Sequence, residues 1–133
     1  LHLSLRRQRQ MCIRDSIGPV PYAEVPALLH TARVGLLPLS DSPLNAGRSP
    51  MKLYEYLAAG LAVVARETPG IRESSDLGIE VYDDDRGADA ALERALGHPS
   101  PNHAGMDAAS SASWERKTDS LEDFLWSVER RRT

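Results

Sequence analysis

The sequence predicts an α/β fold in which helices flank a small parallel sheet of about three strands. Three observations support this prediction: nearly continuous apolar runs at residues 34–39 and 61–65, a helical pattern between them, and an alternating apolar segment at 78–82. Near-continuous apolar runs are typical of strands covered on both faces, as in parallel sheets. A strand, a helix and a second strand in this order form a βαβ unit, so the two strands are expected to be parallel.

The first elements follow from spacing and punctuation. Residues 17–21 form a loop marked by glycine and proline, and residues 22–33 predict a short amphipathic helix because Val25, Leu28, Leu29 and Ala32 recur at helical spacing. The strand at 34–39 then leads into residues 40–48, which are rich in Ser, Asp, Pro, Asn and Gly and therefore predict a loop.

The next helix has a signal at each end. Ser49 is expected to be its N-cap, with Pro50 at the first helical position and Gly60 as the C-cap. After the strand at 61–65 we expect a turn at 69–73 leading into a short helical piece, and then an edge strand at 78–82. Helices are predicted at 89–96 and 106–111, separated by a loop at 97–105. The chain is expected to end in a long amphipathic helix whose apolar stripe contains Trp114, Leu121, Phe124, Leu125 and Val128.

Residues 1–16 differ from the rest of the chain. Residues 6–16, RRQRQMCIRDS, resemble the in-frame translation of a transposase sequencing adapter, and we therefore exclude residues 1–16 from the expected fold. This leaves a domain at 17–133, which we expect to be truncated at its front. Cys12, the single cysteine, is excluded with the segment, so no disulfide or Cys-based metal site is expected.

Charge and hydropathy exclude two classes of protein. The chain has 16 Lys and Arg against 19 Asp and Glu, and without residues 1–16 the balance is 12 against 18, a net charge of −6. This acidic balance argues against a nucleic-acid-binding protein, which would present a basic face. No apolar run approaches the ~18 residues that a membrane span requires.

The loop at 40–48 and the helix after it form the candidate site. Ligands of open α/β sheets bind beyond the carboxyl ends of the strands, and a helix N-terminus there attracts phosphate. Lys52 lies in the first turn, where a cation is unfavourable for the helix unless an anion binds nearby, and Arg48 could supply a second positive charge. Glu55 shares the face of Lys52 and could accept hydrogen bonds from sugar hydroxyls. The alternative interpretation is a plain surface ion pair between Lys52 and Glu55.

The complete string favours the functional interpretation. Residues 49–64, SPMKLYEYLAAGLAVV, resemble the P-x-K-x-x-E-Y-L-A-x-G-x-P-V-V signature of bacterial GT-B glycosyltransferases of the group 1, family 4-like class, which includes many capsule and exopolysaccharide enzymes. Residues 18–29 resemble that family's G-x-V-x-x-x-E-L-P-x-L-L helix, and residues 34–38 its D-V-G-L-x-P strand. One departure is Ala62, where the family usually has proline.

The resemblance implies a Rossmann-like, incomplete C-terminal half of a GT-B fold, which binds a nucleoside-diphosphate sugar as donor substrate and needs neither cofactor nor bound metal. By position, Lys52 would contact the diphosphate and Glu55 the hydroxyls of the ribose or donor sugar. Met51 would lie against the nucleotide, and the helix terminus at Ser49 would stabilise the diphosphate. Arg48 and Asn45 would line the donor loop.

The same resemblance implies that a missing N-terminal domain binds the acceptor, so the fragment is expected to be inactive alone. It also implies a cytoplasmic location, with peripheral membrane contact through Arg130, Arg131 and Arg132 as one possibility and compensation of the helix dipole as the preferred one. Two other functions remain open at this point: a GT-B-like sugar-nucleotide epimerase, and a non-catalytic α/β module that binds a phosphorylated ligand or another protein.

Overall fold

The computed structural model describes residues 17–40 and 42–131. The predicted adapter-derived segment at 1–16, including Cys12, lies outside the described residues, so the domain boundary at residue 17 stays a prediction. In chain order the described elements are a 3₁₀ turn Tyr22–Glu24, α1 Val25–Leu29, β1 Val34–Leu37, α2 Pro43–Ala46, α3 Met51–Ala58, β2 Ala62–Arg66, a 3₁₀ turn Ser75–Leu77, β3 Ile79–Tyr82, α4 Gly87–Leu96, α5 His103–Ser111 and α6 Trp114–Arg130.

The three strands form one parallel sheet in the order β1-β2-β3. Val34 of β1 lies opposite Ala62 of β2, and Val63 of β2 lies opposite Ile79 of β3. The predicted α/β class, the parallel sheet and the edge position of β3 are therefore confirmed. Because all strands run the same way, their carboxyl ends meet at one edge of the sheet, which is the edge where ligands bind in such folds.

Helices cover both faces of the sheet. Leu53 and Leu57 of α3 pack with Val63 of β2 on one face, where α5 also contributes Ala109. On the other face, Ala91 and other small residues of α4 pack against β2. Leu53 and Leu57 are both buried, and burying a leucine side chain typically contributes about 1.5–3 kcal/mol. This burial fixes α3, and with it the candidate site, against the central strand.

Each cap of α3 lies one residue from its predicted position. The N-cap prediction was wrong by one residue: Pro50, with an extended ψ of 126°, is the N-cap, and the helix begins at Met51. Pro50 therefore joins the helix only through its carbonyl, which accepts from the amide of Leu53. At the other end Ala59 is the C-cap, and Gly60 follows it in the left-handed region at φ +79°. The amide of Leu61 donates to the carbonyl of Tyr56, which completes a Schellman motif.

Other boundaries shift for identifiable reasons. The predicted helix at 22–33 is only a 3₁₀ turn followed by α1, because Pro26 has no N–H to bond the carbonyl of Tyr22. The short helix α2 was not predicted; it begins after Ser42, whose hydroxyl accepts from the amide of Leu44. The predicted helix at 106–111 begins earlier, at His103, because Asn102 caps it.

The buried side chain of Asn102 joins three segments. Its Nδ2 donates to the carbonyls of Leu61 and Leu77, at 3.3 and 2.8 Å, and its Oδ1 accepts from the amide of Gly105 at 3.1 Å. The start of α5 is thereby attached to the backbone that precedes β2 and β3. This fixes α5 over the same face of the sheet as α3.

The last helix, α6, is amphipathic but has no buried residue. Its helical structure is as predicted, and its two tryptophans, Trp114 and Trp126, are 68% and 60% exposed. No element of the described chain covers the apolar stripe of α6. None of the helices within residues 17–40 and 42–131 is both long and apolar enough to cross a membrane.

Candidate functional site

The candidate site lies where the chain leaves the carboxyl end of β1 and begins α3. The buried β1 residue Leu37 and the buried α3 residue Leu53 hold the two elements together in one core cluster. Met51 and Lys52 are the first two residues of α3, so their amides have no carbonyl acceptor within the helix. The helix N-terminus therefore presents backbone donors and partial positive charge at the ligand-binding edge of the sheet.

Lys52 and Glu55 form an ion pair across one turn of α3. The Nζ atom of Lys52 donates to Oε2 of Glu55 at 2.6 Å, and the two side chains are 59% and 32% exposed. The hydrogen bond to Glu55 raises the pKa of Lys52 above its ordinary value, more than partial desolvation lowers it. Lys52 therefore remains a cation. Exposed pairs of this kind contribute only about 0.3–0.5 kcal/mol to stability, so the pair can open when a ligand binds either partner.

The loop that leads into α3 is held by Asn45, which is buried. Its Nδ2 donates to the carbonyl and the hydroxyl of Ser40, at 2.7 and 3.0 Å, and its Oδ1 accepts from Nη1 of Arg48 at 3.2 Å. Asn45 thus faces the interior of the loop and positions Arg48. Its predicted place in a donor-binding loop stays a prediction, and its side-chain hydrogen bonds are made within this segment.

The other two predicted residues flank the helix terminus. The Ser49 hydroxyl forms a hydrogen bond of 3.2 Å with the hydroxyl of Tyr54. It caps no backbone amide of α3. Met51 is largely exposed beside this terminus. Lys117 of α6 lies over the ring of Tyr54, with Nζ 4.8 Å from the ring centroid. The six predicted donor residues thus lie in α2, in the loop that follows it and at the start of α3.

An apolar groove that the sequence analysis did not predict lies between α1 and α3. It has a volume of about 230 Å³ and is lined by Tyr22, Val25, Pro26, Leu29, His30, Glu55, Ala58 and Ala59. The imidazole Nδ1 of His30 donates to the carbonyl of Ala59 at 3.2 Å, which joins the two walls. Helical spacing places Tyr22 on the same face as Val25, but the sequence gives no signal that this face meets α3.

A second charged cluster lies away from this site, between β3 and α4. Glu80 is nearly fully buried and accepts from Nε of Arg94 at 2.5 Å and from Nε2 of His98 at 2.8 Å. Burial by itself would raise the pKa of Glu80, but the hydrogen bonds from His98 and Arg94 outweigh it and hold the pKa below its ordinary value. Because these bonds join β3 to α4, we interpret the cluster as structural.

Comparison with known proteins identifies the class. The family model for glycosyl transferases group 1 matches residues 5–97. The chain belongs to this family. The matched range begins within residues 1–16, the segment that the sequence analysis assigned to an adapter. Membership supports a glycosyl transfer function and confirms the resemblance read from residues 49–64.

This group 1 glycosyltransferase chain also has a relative among the curated proteins. It is 35% identical over 83 residues to the "Putative teichuronic acid biosynthesis glycosyltransferase TuaH" of Bacillus subtilis (strain 168), an alignment that covers 60% of this chain and 21% of the relative. The chain thus spans about a fifth of that protein's length. No solved structure matches the chain at a significant level.

The family assignment draws attention to the positive groups near the carboxyl ends of the strands. In this group 1 glycosyltransferase chain, an exposed lysine, a helix N-terminus and a neighbouring arginine all stand at the sheet edge where α/β folds bind ligands. Among residues 17–40 and 42–131, no three His, Cys, Asp or Glu side chains group closely enough to hold a metal ion.

Proposed function

We propose that this chain supplies the donor-binding part of an enzyme that transfers a sugar from a nucleoside-diphosphate sugar to an acceptor. The observation that carries the proposal is the position of Lys52, an exposed cation in the first turn of α3 at the carboxyl edge of a parallel sheet. A lysine in this position is unfavourable for an isolated helix, because the dipole prefers an acid there. A bound diphosphate removes that conflict.

The diphosphate is bound by three sets of donors. Lys52 exchanges its hydrogen bond with Glu55 for one to a phosphate oxygen, the amides at the start of α3 supply backbone donors, and Arg48 adds a guanidinium from the loop. Hydrogen bonds to charged groups contribute about 1.5–3 kcal/mol each. When the sugar is transferred, the leaving diphosphate gains negative charge at these same donors, which lowers the barrier.

The nucleoside occupies the groove between α1 and α3. Glu55 lies at the junction between Lys52 and this groove, so its carboxylate accepts from ribose hydroxyls while the base packs on apolar side chains beyond it. The exposed ring of Tyr22 offers a stacking surface for the base. Lys52, Glu55 and Ala58 follow one another along α3, which matches the order of diphosphate, ribose and base in a nucleotide. The donor sugar then points toward Asn45 and Arg48.

A further domain of a longer protein binds the acceptor in this proposal. Two observations support it: the chain spans only 21% of its relative's length, and the apolar stripe of α6 is covered by nothing in the described chain. We assign the stripe to contact with that domain. The relative is named for teichuronic acid biosynthesis, and we propose that this chain likewise serves the synthesis of a cell-surface polysaccharide, in the cytoplasm beside the inner face of the membrane.

Titration with UDP and with GDP tests the donor-binding proposal directly. The experiment compares the unchanged chain, Lys52→Ala, and Arg116→Ala as a control, since Arg116 is an exposed cation on α6. We expect Lys52→Ala to lower the affinity for the preferred nucleotide by about 10- to 100-fold, which corresponds to the loss of one hydrogen bond to a charged group. The control should bind the nucleotide as tightly as the unchanged chain. Equal affinity of Lys52→Ala and the unchanged chain for both nucleotides would refute the assignment of Lys52.

A further inference from the structure

A second groove lies at the same edge of the sheet, next to the candidate donor site but separate from it. It has a volume of about 350 Å³ and is lined by Arg66, Glu67, Thr68, Pro69, Arg72 and Asp83. Arg66 is the last residue of β2 and Asp83 follows β3, so the groove opens at the carboxyl ends of these two strands. This is the edge at which ligands of open α/β sheets bind, and the volume is at the lower end of ligand pockets, about 300–1,000 Å³.

The loop that forms one wall is preorganised. Thr68 and Ile71 exchange two backbone hydrogen bonds of 3.0 Å, and the Thr68 hydroxyl accepts from the amide of Ile71 at 3.1 Å. The side chain of Ile71 is buried in the core. The amide of Glu67 also donates to the carbonyl of Tyr82, which ties this wall to the end of β3. The groove therefore exists before a ligand enters.

The charges of the groove indicate what it binds. Arg66 and Arg72 are balanced by Glu67 and Asp83, so the lining has no net charge. An anion would face two carboxylates, and a cation would face two guanidinium groups. A ligand dense in hydroxyl groups can instead donate to the carboxylates and accept from the guanidinium groups at once.

The groove is joined to the candidate donor loop. A Cβ atom on Gly70 would lie 2.5 Å from the backbone carbonyl oxygen of Arg48, so the two loops are in direct backbone contact. Arg48 is one of the groups that bind the diphosphate in the proposed function. A ligand in the groove is therefore held beside the reacting end of the donor.

We propose that this groove binds an uncharged, hydroxyl-rich sugar unit of the acceptor glycan. Its place as an acceptor subsite rests on the proposed function, whereas its ability to bind a neutral sugar does not. Arg72 and Asp83 provide the main donor and acceptor, because both are exposed at the mouth of the groove.

NMR titration of the 133-residue chain with methyl α-glucoside as probe tests the proposal. We expect saturable shifts of the amides of Arg66, Thr68 and Asp83, with a Kd of the order of millimolar. Arg72→Ala should weaken binding by about tenfold, the loss of a bidentate donor, and Arg116→Ala on α6 should leave it unchanged. Asp83→Asn should also lower the affinity for the glucoside. Circular dichroism of each variant checks that it is folded.

Two results would overturn the proposal. One is the absence of saturable shifts at these amides up to the solubility limit of the glucoside. The other is tighter binding of glucuronate than of the glucoside, increased further by Asp83→Asn, which would make the groove an anion site. A parallel UDP titration separates the two hypotheses, because glucoside binding without UDP binding refutes only the proposed donor site, and the reverse refutes only the groove.

Discussion

The ammonium group of Lys52 and the carboxylate of Glu55 are 2.6 Å apart across one turn of α3. In the proposed function these two groups bind different parts of the donor, so each neutralises the other only while the site is empty. Removing the carboxylate should therefore affect different fragments of a nucleotide in opposite directions. This separates a donor site from a plain surface ion pair.

Glu55→Gln should lower the affinity for UDP by about tenfold, because a hydrogen bond between ribose and a charged group is lost. Inorganic pyrophosphate should bind as well as before or somewhat better, because Lys52 no longer has a carboxylate partner. Calorimetric titration with both ligands measures the difference, and Glu122→Gln on α6 is the matched control. An equal loss for UDP and pyrophosphate would contradict the ribose role of Glu55.

Gly70→Ala should destabilise the chain by about 1–3 kcal/mol, because its Cβ would be forced against the carbonyl oxygen of Arg48. The same substitution at Gly47, in the neighbouring loop, meets no atom within 4 Å and should be neutral or slightly stabilising. Urea unfolding of both variants tests this. UDP titration shows whether displacement of the loop also lowers the affinity for the nucleotide. Equal stability of the two variants would mean that the loops are not in contact in solution.

Glu80→Gln should lower the free energy of unfolding at neutral pH by about 1–3 kcal/mol, because Arg94 and His98 lose a buried charged acceptor. The pKa of Glu80 is lowered in the folded chain, so its contribution is complete above the ordinary pKa of a glutamate and is lost as pH falls through the lowered value. The difference between the unchanged chain and Glu80→Gln should therefore shrink as the pH is reduced below about 4.

Urea unfolding at neutral pH and at about pH 3 measures that difference. Glu93→Gln, at an exposed position of the same helix α4, should change stability by less than about 0.5 kcal/mol at either pH. A difference between Glu80→Gln and the unchanged chain that stays constant or grows on acidification would show that the Glu80 carboxylate does not stabilise the fold.

The sequence predicted those parts of the structure that depend on neighbours along the chain. The strands at β1 and β2 were recognisable because their apolar runs are continuous, and α3 because Pro50 and Gly60 punctuate it. The cap was misplaced because a proline with extended ψ can itself be the N-cap, which composition does not reveal. The short helix α2 was not predicted because its single turn, PLNA, is too short to show helical periodicity.

Features formed by distant residues were not predictable in this way. Glu80 and its partners Arg94 and His98 are 14 and 18 residues apart, and a single sequence gives no reason to pair them. The groove between α1 and α3 likewise requires knowledge of which helix faces meet. The six predicted donor residues lie close together in the chain, within residues 45–55, and the resemblance to a family assigned their roles, which stay a prediction.

The buried residues around β2 and the exposed apolar stripe of α6 are under different evolutionary constraints. The residues around β2 must fit one another, so a substitution such as Leu57→Ala is penalised by the domain itself. Phe124 and its neighbours on α6 have no such internal constraint within the described residues, and in the proposed function their sequence is constrained by the domain that they contact. If the proposed function holds, α6 can diverge together with a partner domain while the donor-binding residues stay constant, and exchanging α6 between relatives should change which partner is recognised without altering the donor.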